Sequence, residues 1–227
     1  MVMDPAASPW KPSKQDFTRR EWAIIQRHRT PYQVQSYINS LPYNHESPAT
    51  MRSFRGVVRT GTAHCLEGAL AAAVILEQHG HPVQFLDLES QDGLDHILYL
   101  YEKDGKWGTV ARSRDPGLHG RRPVFKRLVD LVDSYFDPFI DRTGRIIRYG
   151  TGTLEELGRY DWRLSERNVW KVERYFIAMP HHRFRSSDKR YRYWYDRFLS
   201  YKERYPDRRP IYFTGRETWK PGYRQFH

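Results

Sequence analysis

The chain of 227 residues contains a single cysteine, so no intrachain disulfide can form, and we expect a reducing, cytoplasmic setting. Its longest apolar run, Ala69 to Leu76, is far shorter than the ~20 residues that a membrane-spanning helix needs. Residues 1–15 show neither the basic segment nor the apolar segment of a secretion signal. These absences exclude a scaffold held by intrachain disulfides and predict a protein without a membrane partner.

Aromatic and basic residues are what the chain has in quantity. Aromatics make up 15% of the sequence, which is typical of a chain that folds, although the mean hydropathy is only -0.83. A chain of this length closes one good-sized core. We predict an N-terminal helical segment over residues 1–45, a core over 46–180, and a C-terminal extension over 181–227 that packs on the core.

The positive charge is concentrated in that extension. The formal net charge is +11, and residues 181–227 hold 13 Lys and Arg against 5 Asp and Glu, together with 13 aromatics. Interleaved basic and aromatic side chains can bind nucleic acid through its phosphates and bases. They can equally wrap a folded body, and the helical spacing of the aromatics between Tyr191 and Tyr205 favours this second interpretation.

The helix signals near the N-terminus are strong. Asp16 or Thr18 can cap a first helix. Thr30, Pro31 and Gln33 then supply a cap, a proline at the first helical position and a glutamine at the third, which predicts a second short helix. Both helices are therefore expected before residue 43.

The next helix is the most informative one. Its middle is apolar on every face, so we predict a fully buried helix with Thr62 as N-cap and Gly80 as the stop. The segment before it is read as a loop with a short strand or turn around 54–58. Further helices are predicted to start at Pro123 and after a cap at Ser165.

Strands are predicted on the C-terminal side of the buried helix. Residues 82–88 alternate like a strand, and residues 145–149 can add another. Residues 95–113 contain two β-rich runs joined by Asp104-Gly105, which is the strongest short hairpin signal. The sequence thus predicts a helix that packs on antiparallel strands.

The lone thiol stands in the first turn of the buried helix. A helix N-terminus favours negative charge, so a thiolate at Cys65 would be stabilised there and its pKa lowered. A neutral histidine is the usual base for such a thiol and need only be close in space. His96 enters the first hairpin strand, which is a rigid position for that base.

These residues together resemble a known superfamily. The segments GTAHCLEGALAAAVILEQHG and LDHILYLYEKDGKWGTVARSRDPGL resemble the transglutaminase-like superfamily, whose fold is papain-like. The resemblance covers roughly residues 60 to 120. It implies an α+β fold with a papain-like/transglutaminase-like core and a thiol that attacks an amide carbonyl to give a thioester. It therefore predicts a peptide or amide as substrate, and no cofactor.

The third catalytic residue departs from the pattern of that superfamily. The superfamily usually has an Asp three residues after the Trp of the turn, where this chain has Val110. We expect Asp115, just beyond the strand, to orient His96, with Ser113 and Asp95 as alternatives. The predicted catalytic residues are therefore Cys65, His96 and Asp115.

Other residues near the thiol receive simpler interpretations. His64 precedes Cys65 directly and should face another direction on the helix, so it is read as a cap or surface residue. Glu67 is read as a first-turn acid that complements the helix dipole and that, if buried, would pair with Arg52 or Arg55. No Cys or His spacing indicates zinc.

Two function classes follow from these patterns. The first is a cysteine-dependent acyl transfer enzyme, in which water as acceptor gives a peptidase or amidase and an amine gives a transamidase. The second is a non-catalytic binding module on the same fold, whose basic aromatic tail contacts nucleic acid or a protein partner.

Overall fold

A computed structural model describes residues 10–93, 95–141 and 144–207. The helices are α1 (Arg19–Arg27), α2 (Pro31–Ser40), α3 (Phe54–Thr60), α4 (Cys65–Glu77), α5 (Leu128–Phe139), α6 (Trp170–Ala178) and α7 (Asp188–Arg204). The strands are β1 (Phe85–Ser90), β2 (His96–Lys103), β3 (Lys106–Val110), β4 (Ile146–Gly152) and β5 (His182–Arg183). Residues 1–9 and 208–227 of the predicted terminal segments lie outside the described residues.

The five strands form one antiparallel sheet in the order β3-β2-β1-β4-β5. The predicted hairpin is confirmed: Lys103 pairs with Lys106 across the turn. Asp104 and Gly105 adopt φ values of 53° and 68°, which is the left-handed conformation that a two-residue hairpin turn requires. The hairpin fixes which residues of β2 and β3 face each side of the sheet.

The sheet has a buried core on each face. On one face, α4 packs against Phe85, Tyr99 and other side chains of β1 and β2. On the other face, Leu86 and Leu98 join side chains of α5 and α7. Alternate residues along each strand point to opposite faces, so one strand contributes to both cores.

The buried helix is confirmed, and its surroundings explain its composition. Every residue of α4 from Leu66 to Glu77 is buried. A Cβ added to Gly68 would stand 2.8 Å from the Cβ of Arg112, so glycine lets the first turn of α4 approach the end of β3. The small residues of this helix allow such close packing on several sides.

The predicted helix starts near the N-terminus are confirmed, whereas several predictions further along the chain are wrong. Thr18 caps α1 and Thr30 caps α2, each by accepting a hydrogen bond from the third helical residue. The predicted strand or turn around 54–58 is wrong, because α3 occupies it. Helix α5 begins at Leu128 rather than Pro123, and α6 begins at Trp170, beyond the cap predicted at Ser165.

The α+β fold class is confirmed, with a central buried helix packed on an antiparallel sheet. Helices α1 and α2 precede that core and α7 follows it. None of the helices in the described ranges is long and apolar enough to cross a bilayer.

Candidate active site

The site is built around the N-terminus of α4. Cys65 is the first helical residue and His64 is the N-cap, so the cap predicted at Thr62 is wrong. As a residue Cys65 is partly buried, whereas every later residue of its helix is buried.

Two imidazoles lie at this thiol. Burial acts to raise the pKa of Cys65, but hydrogen bonds from the side chains of His64 and His96, together with their charges, hold that pKa well below its usual value. The first amides of a helix also have no intrahelical acceptor and favour an anion. The surroundings of Cys65 therefore stabilise the thiolate, as the sequence predicted.

His96 is the first residue of β2 and is buried. Its Nε2 lies 2.9 Å from the carbonyl oxygen of Leu118, so Nε2 carries the proton and donates it to that oxygen. The ring edge also contacts Tyr135, with 6.2 Å between ring centroids. Nδ1 remains as the ring nitrogen that can exchange a proton with the thiol of Cys65.

The hydrogen bonds of Asp115 differ from the one that its predicted role, orienting His96, would require. Its carboxylate accepts a hydrogen bond from Nε of Arg114 at 3.3 Å, and its backbone N–H donates to Ser113. The carbonyl of Leu118, one helical turn further on, binds the ring nitrogen of His96 that Asp115 was expected to bind. The role of Asp115 stays a prediction that mutation can test.

His64 is the N-cap of α4, which is one of the two roles that the sequence predicted, and its ring also lies in the site. Its Nε2 lies 2.8 Å from the carbonyl oxygen of Thr50 and 3.6 Å from Oε1 of Glu67. Burial acts to lower the pKa of His64, but the hydrogen bond and charge of Cys65 and the charge of Glu67 raise it to about 9. These contacts favour the protonated form of the imidazole.

Glu67 is fully buried and its carboxylate is completely surrounded by donors. It accepts hydrogen bonds from the side chains of Asn44 at 3.0 Å and Thr50 at 2.9 Å, and from the backbone N–H groups of Arg52 and His64 at 3.0 Å each. Burial acts to raise the pKa of Glu67, but His64 and these donors lower it. A buried carboxylate thus stands directly behind the His64 ring.

The prediction that a buried Glu67 pairs with an arginine side chain is wrong. The guanidinium of Arg52 bonds Glu46, and that of Arg55 bonds Glu21. The carboxylate instead binds backbone and neutral polar groups together with His64. This arrangement leaves the negative charge of Glu67 available to the imidazole.

Tyr43 and Arg112 lie on another side of the thiol. Burial and the charge of Cys65 raise the pKa of Tyr43 to about 12, so its hydroxyl is protonated and can donate. The guanidinium of Arg112 lies 5.7 Å from the centre of the Tyr43 ring. Sequence patterns gave no sign of Tyr43, because its position depends on a bridge between Tyr43 and Ala63.

Within residues 10–93, 95–141 and 144–207, no three or more His, Cys, Asp or Glu side chains form a group that could bind a metal ion.

No protein-family model matches the sequence, and no curated protein matches it. Among solved structures, the chain is similar to Legionella pneumophila LapG (EGTA-treated), with 10% sequence identity and a TM-score of 0.36 over 62% of this chain and 82% of that chain. So low a score indicates only a loose similarity of fold. The fold and the site define a class, an α+β protein with a thiol and imidazoles at the start of its buried helix.

Proposed function

We propose that this chain is a cysteine-dependent acyl transfer enzyme that acts on an amide or peptide bond through a thioester on Cys65. The observation that carries the proposal is the thiol of Cys65 at the N-terminus of a buried helix, with two imidazoles that stabilise its thiolate. Such an environment is typical of nucleophilic cysteines, whereas structural cysteines are buried in apolar surroundings.

The residues support a sequence of balanced steps. Nδ1 of His96 takes the proton of the Cys65 thiol, and the sulfur attacks the carbonyl carbon of the substrate. The backbone N–H of Cys65, at the helix N-terminus, is suited to hold the oxyanion. His96 then gives its proton to the leaving nitrogen as the C–N bond breaks, which leaves the thioester.

The acceptor decides the product. When water attacks the thioester, with His96 again as base, the result is hydrolysis of an amide or peptide. When an amine attacks, the result is transamidation. Both outcomes use Cys65 and His96 in the same roles, and a peptide substrate suits both.

The first test measures the reactivity of the thiol. We expect iodoacetamide to alkylate one equivalent of Cys65 at pH 6 at least ~10-fold faster than it alkylates the free peptide of residues 61–69, because the folded thiol is ionised and the peptide thiol is not. The peptide has the same neighbours in sequence without the fold. Equal rates would contradict the proposal.

The second test measures turnover. Denatured casein is incubated with the protein in the presence and absence of dansylcadaverine, and both new peptide termini and attached amine are followed by mass spectrometry. We expect Cys65→Ser to remove all turnover and His96→Gln to reduce it at least ~100-fold. Turnover retained by Cys65→Ser would overturn the role of the thiol.

A further inference from the structure

We infer that His64 is a fixed imidazolium that stabilises the Cys65 thiolate, while His96 alone transfers the proton. This inference rests on the proposed function for its consequence in turnover, but its geometry stands independently. It gives the two imidazoles at one sulfur two different tasks.

The first step concerns the proton on Nε2 of His64. The carbonyl oxygen of Thr50, 2.8 Å away, only accepts hydrogen bonds. Nε2 therefore carries a proton in every protonation state of the ring, and Nδ1 is the nitrogen left for the sulfur. A second proton on Nδ1 makes the ring a cation that donates to a thiolate.

The second step concerns the groups that keep Nδ1 of His64 protonated. Oε1 of Glu67 lies 3.6 Å from Nε2 of His64, and the four donors around Glu67 keep its carboxylate ionised in a buried position. The cation is thus placed between two anions, the carboxylate and the thiolate. Opposite charges on both sides favour the protonated ring.

The third step compares this ring with His96. The Nε2 of His96 bonds a neutral backbone carbonyl, that of Leu118, and its ring edge meets Tyr135. A base that must gain and lose a proton during turnover needs both forms to be accessible. Oε1 of the buried Glu67 lies 3.6 Å from the His64 ring, whereas Nε2 of His96 bonds a neutral carbonyl, which assigns the fixed charge to His64 and the mobile proton to His96.

Other charged and titratable groups face the thiol as well. Tyr43 reaches it from the loop before α3, and Arg112 and Arg114 follow β3 near Tyr43. Asp87 and Asp95 lie on the sheet side, where the charge of Cys65 acts to raise the pKa of each. When these carboxyl groups ionise, their charges disfavour a thiolate, and a cation at His64 offsets that effect.

The test titrates the thiol and the ring separately, in the full-length protein and without substrate. The thiolate pKa is taken from the rate of iodoacetamide alkylation between pH 4 and 10 in the wild type, His64→Gln and His79→Gln. His79 is the matched control, since its Nε2 also bonds a backbone carbonyl, that of Ile25 at 2.8 Å, but beyond the opposite end of α4. We expect His64→Gln to raise the thiolate pKa by at least about one unit, a tenfold loss of thiolate at acidic pH, and His79→Gln to leave it unchanged.

A second measurement uses the wild type alone, so it does not depend on whether a variant folds. The ring of His64 is followed by nitrogen NMR from pH 5 to 8, and we expect it to show both nitrogens protonated across this range. A midpoint near the ordinary histidine value, or an unchanged thiolate pKa in His64→Gln, would overturn the inference. If His64 is protonated across this range but the protein shows no amide turnover, the proposed function is overturned and this inference stands.

Discussion

The ring of His96 is oriented by a backbone carbonyl, and this sets the expectation for Asp115. Because Leu118 already accepts the proton of Nε2, the Asp115→Asn variant should keep turnover within ~10-fold of the wild type, whereas loss of an orienting carboxylate typically costs ~10⁴-fold. The measurement is kcat of the acyl transfer reaction. A loss of 100-fold or more in Asp115→Asn would show that this carboxylate orients His96 during turnover.

Asp87 is a buried carboxyl whose ionisation should weaken the fold. It lies on β1 with no solvent exposure, and its Oδ2 contacts Nε2 of His181 at 3.0 Å. Burial, opposed by the hydrogen bond from His181 and reinforced by Asp95, raises the pKa of Asp87 to about 7 from the ordinary 3.8. The folded state therefore binds a proton between these pH values that the unfolded state has released.

The sign of the pH dependence follows from that shift. The stability contributed by the protonated carboxyl is complete below pH 4 and is lost as the pH rises through 7, by on the order of 2–4 kcal/mol. Urea unfolding of the wild type and Asp87→Asn at pH 4, 6 and 8 checks this. We expect the wild type to lose stability relative to Asp87→Asn as pH rises, and a constant difference would contradict the shift.

At the scale of elements, one buried arginine supports the loop that holds His96. Arg121 is fully buried, and its guanidinium donates to the carbonyls of His119 at 2.6 Å and Gly117 at 2.7 Å, while its Nε donates to Ser134 at 3.2 Å. It also lies 4.0 Å from the centre of the Tyr135 ring. These contacts fix the backbone on both sides of the carbonyl that orients the His96 ring.

Removing that arginine should therefore affect both stability and chemistry. We expect Arg121→Met to lower the free energy of unfolding by about 2–4 kcal/mol, because buried carbonyls lose their donors, and to weaken the hydrogen bond between His96 and Leu118. Urea unfolding and the nitrogen NMR signals of His96 provide the measurements. Arg122→Met is the matched control, since Arg122 is exposed, and equal effects of the two variants would contradict the role of Arg121.

Local signals were sufficient for elements whose ends are fixed by their own residues. Thr18 and Thr30 cap α1 and α2, and Asp104-Gly105 sets the hairpin register. Helix α3 was missed although it has similar signals, a cap at Ser53 and a left-handed stop at Gly61 with φ 71°. The polar composition of residues 43–61, rich in Gly, Ser and Arg, favours a loop instead.

Distant contacts explain the other errors. The start of α5 is delayed because the carbonyl of Phe125 accepts from the backbone of Trp107 at 2.7 Å, and the start of α6 is delayed because Val169 donates to the carbonyl of Met51 at 2.6 Å. Neither partner is near in sequence. A helix pattern cannot reveal that its first residues are already bonded to another part of the chain.

The residues of the candidate site divide in the same way, into those that local features predict and those whose position depends on distant contacts. Cys65 and His96 followed from a helix start and a strand start, which are local features. His64 was set aside because adjacent residues on a helix face different directions, but it is the N-cap with extended backbone, φ -88° and ψ -174°, so that rule does not apply to it. The contacts of its ring with Thr50 and Glu67 depend on a loop that no periodicity describes.

At the scale of the whole molecule, part of the basic aromatic segment, residues 181–227, packs into the core. Trp194 and Tyr201 of α7 lie in the core formed with β1, β2 and α5, and Phe198 is buried as well. Rings that are buried in a core cannot stack on bases, so this part of the segment is unsuited to bind nucleic acid through its aromatics. The helix covers one face of the sheet with these rings.

Neighbouring aromatic residues of α7 should therefore contribute differently to the free energy of unfolding. Trp194 is 5% exposed and Tyr193 is 49% exposed, so we expect Trp194→Ala to lower the free energy of unfolding by about 3–5 kcal/mol and Tyr193→Ala to lower it by less than about 1 kcal/mol. Urea unfolding of both variants gives the comparison, with α7 present in each. If the two variants lost the same stability, α7 would not be part of the core, and its aromatic residues would be free for a partner.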